Sequence, residues 1–220
     1  MKKLFGKSEG EENNFWMSYT DLMSGFLIVF IFACAISYSI LKHQQRNLLK
    51  EFVGFEGTKG NVEVVIDTEK GSIILYHKGG QDLFNLGDPD PTADLKDNLN
   101  NDGKEIILKA MQLQKEHSSL ELRIEGHTDP AGIRQKNGHV PAYGSTESFV
   151  DNMSLSSKRA NAVYSHLYGN ASDQEKEFLR SHAISVGYSF SDRIANNTHQ
   201  HRNEQLDSKS RRIEFRFIGK

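Results

Sequence analysis

The chain has 220 residues and carries 27 Lys and Arg against 29 Asp and Glu, a formal net charge of −2. That length accommodates one domain of ordinary size plus an appendage, and without a basic surplus nucleic acid is a poor candidate for the main partner, because phosphate binding needs clustered Lys and Arg. The single cysteine, Cys34, excludes a disulfide within the chain and leaves the compartment open.

In chain order, residues 1–14 are polar and of mixed charge, and a tail is expected there. Phe15 to Tyr38 reads FWMSYTDLMSGFLIVFIFACAISY, and the 20 residues from Leu22 to Leu41 include no charged side chain. A helix rises ~1.5 Å per residue, so such a run covers ~30 Å, the hydrocarbon thickness of a bilayer. A buried helix of a water-soluble protein would need apolar surroundings that the rest of the chain lacks. A cleavable signal peptide has a shorter core of about 7–15 apolar residues and a small-residue cleavage site, whereas this run continues through Ile36-Ser37-Tyr38. An uncleaved transmembrane helix is therefore expected over 15–41. Lys2, Lys3 and Lys7 precede it while Lys42, Arg46 and Lys50 follow, so the positive-inside count is a tie and charge alone leaves the orientation open.

Residues 42–59 are polar and are expected as a linker that could prolong the helix for a few turns. From there the pattern is globular. Val62 to Ile66 and Ser72 to Tyr76 are β-branched runs separated by Asp67, Lys70 and Gly71, which predicts a strand pair. Gly87 to Pro91 is a loop by its turn chemistry. Ile106, Ile107, Ala110, Met111 and Leu113 recur at helical spacing. Leu120, Leu122 and Ile124 alternate with Glu121, Arg123 and Glu125, a half-buried strand. Ala160, Val163, Tyr164 and Leu167 mark a second helix, Ile184 to Tyr188 a short strand, and Ile213, Phe215 and Phe217 a last strand with one wet face. Gly138 to Asp151 and Ala195 to Ser210 are polar and read as loops. Strands alternating with helices give an α/β layer over 60–220, a mixed sheet with helices packed on it. The fold class expected for the whole chain is thus α+β, a single N-terminal transmembrane helix followed by this sandwich.

The strand ending at Glu125 runs into Gly126-His127-Thr128-Asp129, and further on comes Asn152-Met153-Ser154-Leu155-Ser156-Ser157-Lys158-Arg159-Ala160. Ser154 or Ser156 can cap the second helix, and a helix start favours a carboxylate. Arg159, one turn inside, adds a planar fork for a carboxylate, while Asp129 offers a negative partner for an ammonium. An Asp and an Arg so placed suit a zwitterion; alternatively they pair only with each other.

Both pieces, with Asp82-Leu83-Phe84 and Gly87 before them and Ser210-Arg211-Arg212-Ile213-Glu214 after, resemble in order the motifs of the OmpA-like peptidoglycan-binding domain. The resemblance implies that the zwitterion is the diaminopimelate of the peptidoglycan stem peptide. Asp129 would take its amine and Arg159 its carboxylate, with Thr128, Asn152, Leu155 and Arg212 around them. Two departures stand out. The segment between Asp129 and Asn152 is longer than the family usually carries, and Ser210 stands where the family usually has Asn.

Asp21, at the start of the apolar run, is a second candidate site. An Asp at mid-helix costs ~2.5–3.5 kcal/mol on insertion scales, less near an end, so one that persists there is a functional candidate. A cap at the water boundary is the plainer alternative. The order Trp16, Tyr19, Asp21, Met23 resembles the start of the span in MotB-type stator subunits. In those proteins the aspartate binds and releases the protons that rotate a surrounding MotA-type pentamer. Trp16 and Tyr19 suit the membrane interface, and Ser24 and Gly25 allow a partner helix to approach closely.

The mixed-charge tail and short linker resemble the B subunits of the Zorya anti-phage defence system more than flagellar MotB. That resemblance implies a homodimer with a ZorA-like (MotA-type) membrane pentamer as partner. It also implies a bacterial inner-membrane location with the amino terminus cytoplasmic and the wall-binding domain periplasmic. No enzyme activity, cofactor or metal is expected. A passive membrane-to-wall tether is one alternative. A metal enzyme is another, suggested by nine histidines and the His199–His201 pair, but without acidic or cysteine partners at ligand spacing.

Overall fold

In the computed structural model, residues 9–50, 52–80, 82–193 and 204–219 are described. The order is α1 (Glu9–Lys50), β1 (Gly57–Lys59), β2 (Val62–Asp67), β3 (Ser72–His77), α2 (Ala93–Asn98), α3 (Lys104–Glu116), β4 (Leu120–Gly126), α4 (Thr146–Gly169), α5 (Asp173–His182), β5 (Ala183–Gly187), α6 (Glu204–Ser210) and β6 (Ile213–Gly219). A π-helical turn, Leu99–Gly103, joins α2 to α3. The chain divides after Gln44 into two compact units.

The first unit is helical. Within α1, Trp16–His43 is long and apolar enough to cross a membrane, and all of its large apolar side chains are exposed. Among the described residues none buries them, as a helix surrounded by lipid requires.

The second unit is a six-stranded mixed sheet in the order β1-β2-β3-β6-β4-β5. Every neighbouring pair is antiparallel except β4 with β5, which are parallel. The β2–β3 turn follows from Asp67, whose Oδ1 accepts the N–H groups of Glu69 and Lys70, both at 2.9 Å, before Gly71 takes the positive φ of 73°. On one face Val62, Val64, Ile73, Leu75, Leu122, Ile124, Ile213, Phe215 and Phe217 form a continuous core with Ile106, Ile107 and Ala110 of α3, Val163 and Leu167 of α4 and Phe178 and Leu179 of α5. The fold class is the one expected from the sequence.

Three expectations change. In the polar stretch 42–59 α1 continues to Lys50, a prolongation the sequence allowed, but Leu49, Phe52 and Phe55 are buried in the core, so the segment is not only a connection. Phe52 packs its ring 4.9 Å from that of Phe217, so apolar residues spaced too sparsely to give a periodic signal still anchor the segment. The loop expected from Gly138 to Asp151 ends at Ser145, whose side chain accepts the Ser148 N–H and caps α4. Ser154 and Ser156 are therefore inside this helix rather than at its start. The polar residues are tolerated there because Asn152 donates to the Ser148 carbonyl at 3.0 Å and Ser156 to the Met153 carbonyl at 3.0 Å. Of the loop expected from Ala195 to Ser210, Glu204–Ser210 is helical, and 195–203 lie outside the described residues.

The wet face expected on β4 and β6 is largely buried: Glu121, Glu125 and Glu214, with Arg212 just before β6, are inside, while Arg123 and Arg216 are half-buried. Glu121 accepts from Nε of Arg123 at 3.0 Å, and Glu214 accepts from Arg212 and Arg216.

Replacement of Phe52 by Ala removes a ring buried against Phe217 and should cost about 3–5 kcal/mol. A thermal melt of the full chain in detergent, followed by circular dichroism, should show the domain transition several degrees lower. An unchanged transition would mean that this segment is a linker after all.

Candidate functional site

Asp21 lies more than three turns inside α1, which begins at Glu9. It therefore cannot cap this helix, since capping acts on the free N–H groups of the first turn. Trp16, Met17, Thr20, Asp21 and Ser24 line one open groove along the helix. The Thr20 hydroxyl donates to the Trp16 carbonyl at 2.8 Å and the Ser24 hydroxyl to the Thr20 carbonyl at 2.7 Å. Those hydroxyls are turned back onto the helix. Among the described residues no cation of the chain pairs with Asp21.

A second site lies where β4 ends. A Cβ on Gly126 would come within 2.3 Å of the Ser156 carbonyl oxygen, so only glycine lets the strand end touch α4. Beyond it the His127 N–H bonds the Arg212 carbonyl at 3.0 Å and the Thr128 N–H bonds the Ser189 carbonyl at 2.9 Å. Asp129 then emerges at the edge of an open cleft of about 550 Å³. Its Oδ1 accepts the Ala131 N–H at 2.8 Å, and its Oδ2 accepts from Nη1 of Arg211. Nε of the same guanidinium donates to Asp82. Burial alone would lower the Arg211 pKa, but Asp129 and Asp82 hold it above the ordinary arginine value.

Arg159 enters the cleft from α4 and is 4% exposed. Its Nε donates to the Asp88 carbonyl at 3.1 Å and its Nη2 to the Asn85 carbonyl at 3.2 Å, while the guanidinium stacks 4.8 Å from the Phe84 ring. Burial pushes its pKa down to about 10, opposed by the charges of Asp82 and Asp129. It stays protonated at neutral pH with backbone carbonyls, not a carboxylate, as its bonded partners. Arg159 and Asp129 therefore do not consume each other. Each is fixed separately, which leaves room for a ligand bearing both charges.

The long segment after Asp129 forms one wall of the cleft. A Cβ on Gly132 would meet the Pro141 carbonyl oxygen at 2.0 Å, so the two limbs of the segment touch through backbone. The Gly144 N–H bonds the Pro130 carbonyl at 2.9 Å, and Nδ2 of Asn152 donates to the Ala131 carbonyl at 2.8 Å. The Tyr143 hydroxyl donates to the Asp207 carboxylate at 2.9 Å, where Nη2 of Arg193 also binds at 2.6 Å.

Of the residues expected around the ligand, Thr128, Asp129, Asn152, Leu155 and Arg159 all line this cleft. Arg212 does not. Successive residues of an extended chain point to opposite faces, and here Arg211 points into the cleft while Arg212 is 1% exposed on the other side. The sequence reading chose the wrong member of the arginine pair for the cleft, because nothing in the motif reveals which of the two points inward. Asp82 was visible only as part of a motif. The helix-start contribution also falls away, since α4 begins two turns before Ser154.

Arg212 belongs to a buried network on the second sheet face. Its Nε donates to Glu214 at 2.6 Å and its Nη2 to Asp192 at 2.9 Å. Arg216 reaches Glu214 at 2.9 Å and Glu125 at 3.0 Å. His127 stacks 5.2 Å from the Tyr188 ring, with Nε2 3.6 Å from Glu125 and 3.8 Å from Glu214. Among the described residues, Glu125, His127 and Glu214 are the group whose ligand atoms lie close enough to hold a metal ion. Arg212 and Arg216 already contact these carboxylates, so a divalent ion would face two guanidinium charges in a dry interior. The nitrogens of His127 and the oxygens of Glu125 make no hydrogen bond among the described residues. His199 and His201 lie outside the described residues.

No family model matches the chain. It is similar to the Zorya protein ZorB of Escherichia coli (strain ATCC 8739), with 26% identity over 236 residues that cover 99% of this chain and 94% of that protein. Among solved structures it is similar to a MotB-like protein from Desulfovibrio vulgaris (17% identity, 84% of this chain and 96% of that one, TM-score 0.47). It is also similar to the cell wall anchor of the T6SS from Pseudomonas aeruginosa (16% identity, 79% and 94%, TM-score 0.41). A third is the periplasmic domain of Helicobacter pylori MotB (17% identity, 72% and 80%, TM-score 0.41). The resemblance to Zorya B subunits drawn from the sequence is thus found again along nearly the entire chain.

Burial lowers the His127 pKa below 6.5, with Glu125 and Glu214 opposing and Arg212 adding to the shift. A proton then binds the unfolded chain more readily than the folded one, so stability is full above pH ~6.5 and falls as pH drops towards the folded value. Thermal melts from about pH 7.5 to about pH 5.5 should show this loss, and His127→Gln should flatten it. An equal loss in the variant would assign the pH dependence to other groups.

Proposed function

We propose that the chain is the B subunit of a MotAB-type, proton-driven rotary motor of the bacterial inner membrane, acting in Zorya anti-phage defence. The amino terminus is cytoplasmic, one helix crosses the membrane, and the domain beyond it grips peptidoglycan in the periplasm. The observation that carries the reading is Asp21, a carboxylate more than three turns inside a helix fit to span a membrane and, among the described residues, without a paired cation. A carboxylate at such a position is costly unless a partner protein, water or a proton relieves it. A MotA-type pentamer around a dimer of this chain would supply the partner, and two Asp21 side chains exchanging protons in turn would drive the ring.

The cleft supports the anchoring half of the proposal. Asp129 presents a carboxylate to an ammonium, and Arg159 presents a guanidinium to a carboxylate. The diaminopimelyl side chain of peptidoglycan carries both groups on one carbon. Arg211 holds Asp129 in place, and Thr128, Asn152 and Leu155 complete the surface. Likeness to ZorB over almost the full length supports the defence role over flagellar motility.

Asp21→Asn keeps the shape of the side chain and removes its ability to carry a charge. In cells that also express the MotA-type partner, it should abolish phage protection while the protein still sediments with isolated peptidoglycan. Full protection by the variant would leave only a passive tether. Arg159→Leu should lose most of the sedimentation with peptidoglycan. Undiminished sedimentation would remove the cleft from wall binding.

A further inference from the structure

The wall formed by the segment after Asp129 gives the cleft features that the Asp129–Arg159 head-group site does not use. Two carboxylates, Asp82 and Asp129, face three guanidiniums, Arg134, Arg159 and Arg211. Arg211 is shared between the two carboxylates. Arg134 is exposed on the wall, with no hydrogen bond or ion pair to any described residue. The lining is therefore one positive charge in surplus, and the surplus lies on the inserted segment. The same wall presents Ile133 and Val140 to the cleft, with Leu155 and Leu86 also lining it, and Val140 and Leu86 are 46% and 94% exposed. Apolar side chains concentrated in a charged cleft suit the methylenes of a ligand more than water.

We infer that this segment is a fixed specificity wall, and that Arg134 binds a second carboxylate of the ligand, separated from the zwitterionic head group by an aliphatic stretch. A zwitterion alone leaves the surplus charge unanswered, whereas a ligand with one ammonium and two carboxylates balances it. The wall is pinned rather than hinged. Its limbs touch at Gly132 and Pro141, Gln135 donates to Glu147 and Asp151 at 3.0 Å each, and Tyr143 is tied to Asp207. With the backbone of the wall fixed beforehand, only the Arg134 side chain is ordered on binding, and its charge placement becomes a discriminating element. The inference rests on the wall-binding reading, within which the second carboxylate belongs to a neighbouring residue of the stem peptide.

Calorimetric titration of the full chain in detergent tests this with three peptides. One is N-acetyl-L-Ala-γ-D-Glu-meso-diaminopimelyl-D-Ala, and the others are its glutamyl α-amide and its C-terminal amide. One of the two amides should bind the native chain about tenfold more weakly than the acid, as loss of a charge-assisted contact implies. R134Q should bring that ratio close to one, and R134K should retain a preference for the acid. Equal binding of all three peptides by the native chain, or a preference that survives in R134Q, would overturn the inference while leaving wall binding intact. Failure of the native chain to bind any of the peptides would overturn both.

Discussion

The guanidinium of Arg211 joins three stretches of chain that are far apart in sequence: the loop before α2, the exit from β4 and the start of β6. Without it, Asp82 and Asp129 would face each other across the cleft as two partly buried carboxylates, an arrangement that like-charge repulsion and desolvation both oppose. With it, Asp129 is held at a fixed place with lone pairs still open to a ligand. Arg159 is freed from any need to neutralise Asp129 and is positioned by backbone carbonyls and the Phe84 ring instead. The cleft can thus offer two opposite charges side by side because a third group has already satisfied the attraction that would collapse them.

The same strand supplies the buried network on the other sheet face. Arg211 serves the cleft, and Arg212, Glu214 and Arg216 serve an interior in which carboxylates and guanidiniums alternate around His127. Alternation along one strand thereby separates a ligand-facing charge from a set of structural ones. A buried ion network is a poor source of net stability, but breaking one member is costly because the partner is left charged and dry. That asymmetry makes the β4–β6 pairing register, with Glu125 opposite Glu214, hard to shift.

The helical unit uses charge in the opposite way. Among the described residues Asp21 has no partner, its neighbouring hydroxyls are turned back onto the helix, and the side chains around it are exposed. In the folded domain the guanidiniums of Arg211, Arg212 and Arg216 each meet carboxylates of the same chain. Within the apolar span Trp16–His43, Asp21 is the one acid, and no described residue pairs with it.

Much of this was visible in the residues. The apolar run set the spanning helix, because length and lack of charge suffice to specify a helix that lipid surrounds. β-Branched runs gave β2 and β3, period-two patterns gave β4 and β6, and the Gly126 to Asp129 turn with Arg159 gave most of the cleft. The helix α5 was also within reach, since Ser172 and Glu175 form a capping box, but its apolar residues are too few to mark it by periodicity. Other features needed tertiary structure. Burial of the charged face of β4 and β6 depends on partners brought in from distant segments, which an alternating pattern cannot distinguish from solvent. Whether Arg211 or Arg212 enters the cleft is decided by the facing of the chain just before β6, and a one-residue change of facing exchanges their roles without altering a single letter. Local sequence determines which groups are present and their periodicity; only the packed chain determines which charges meet, because electrostatic partnership depends on distance in space and not on distance along the chain.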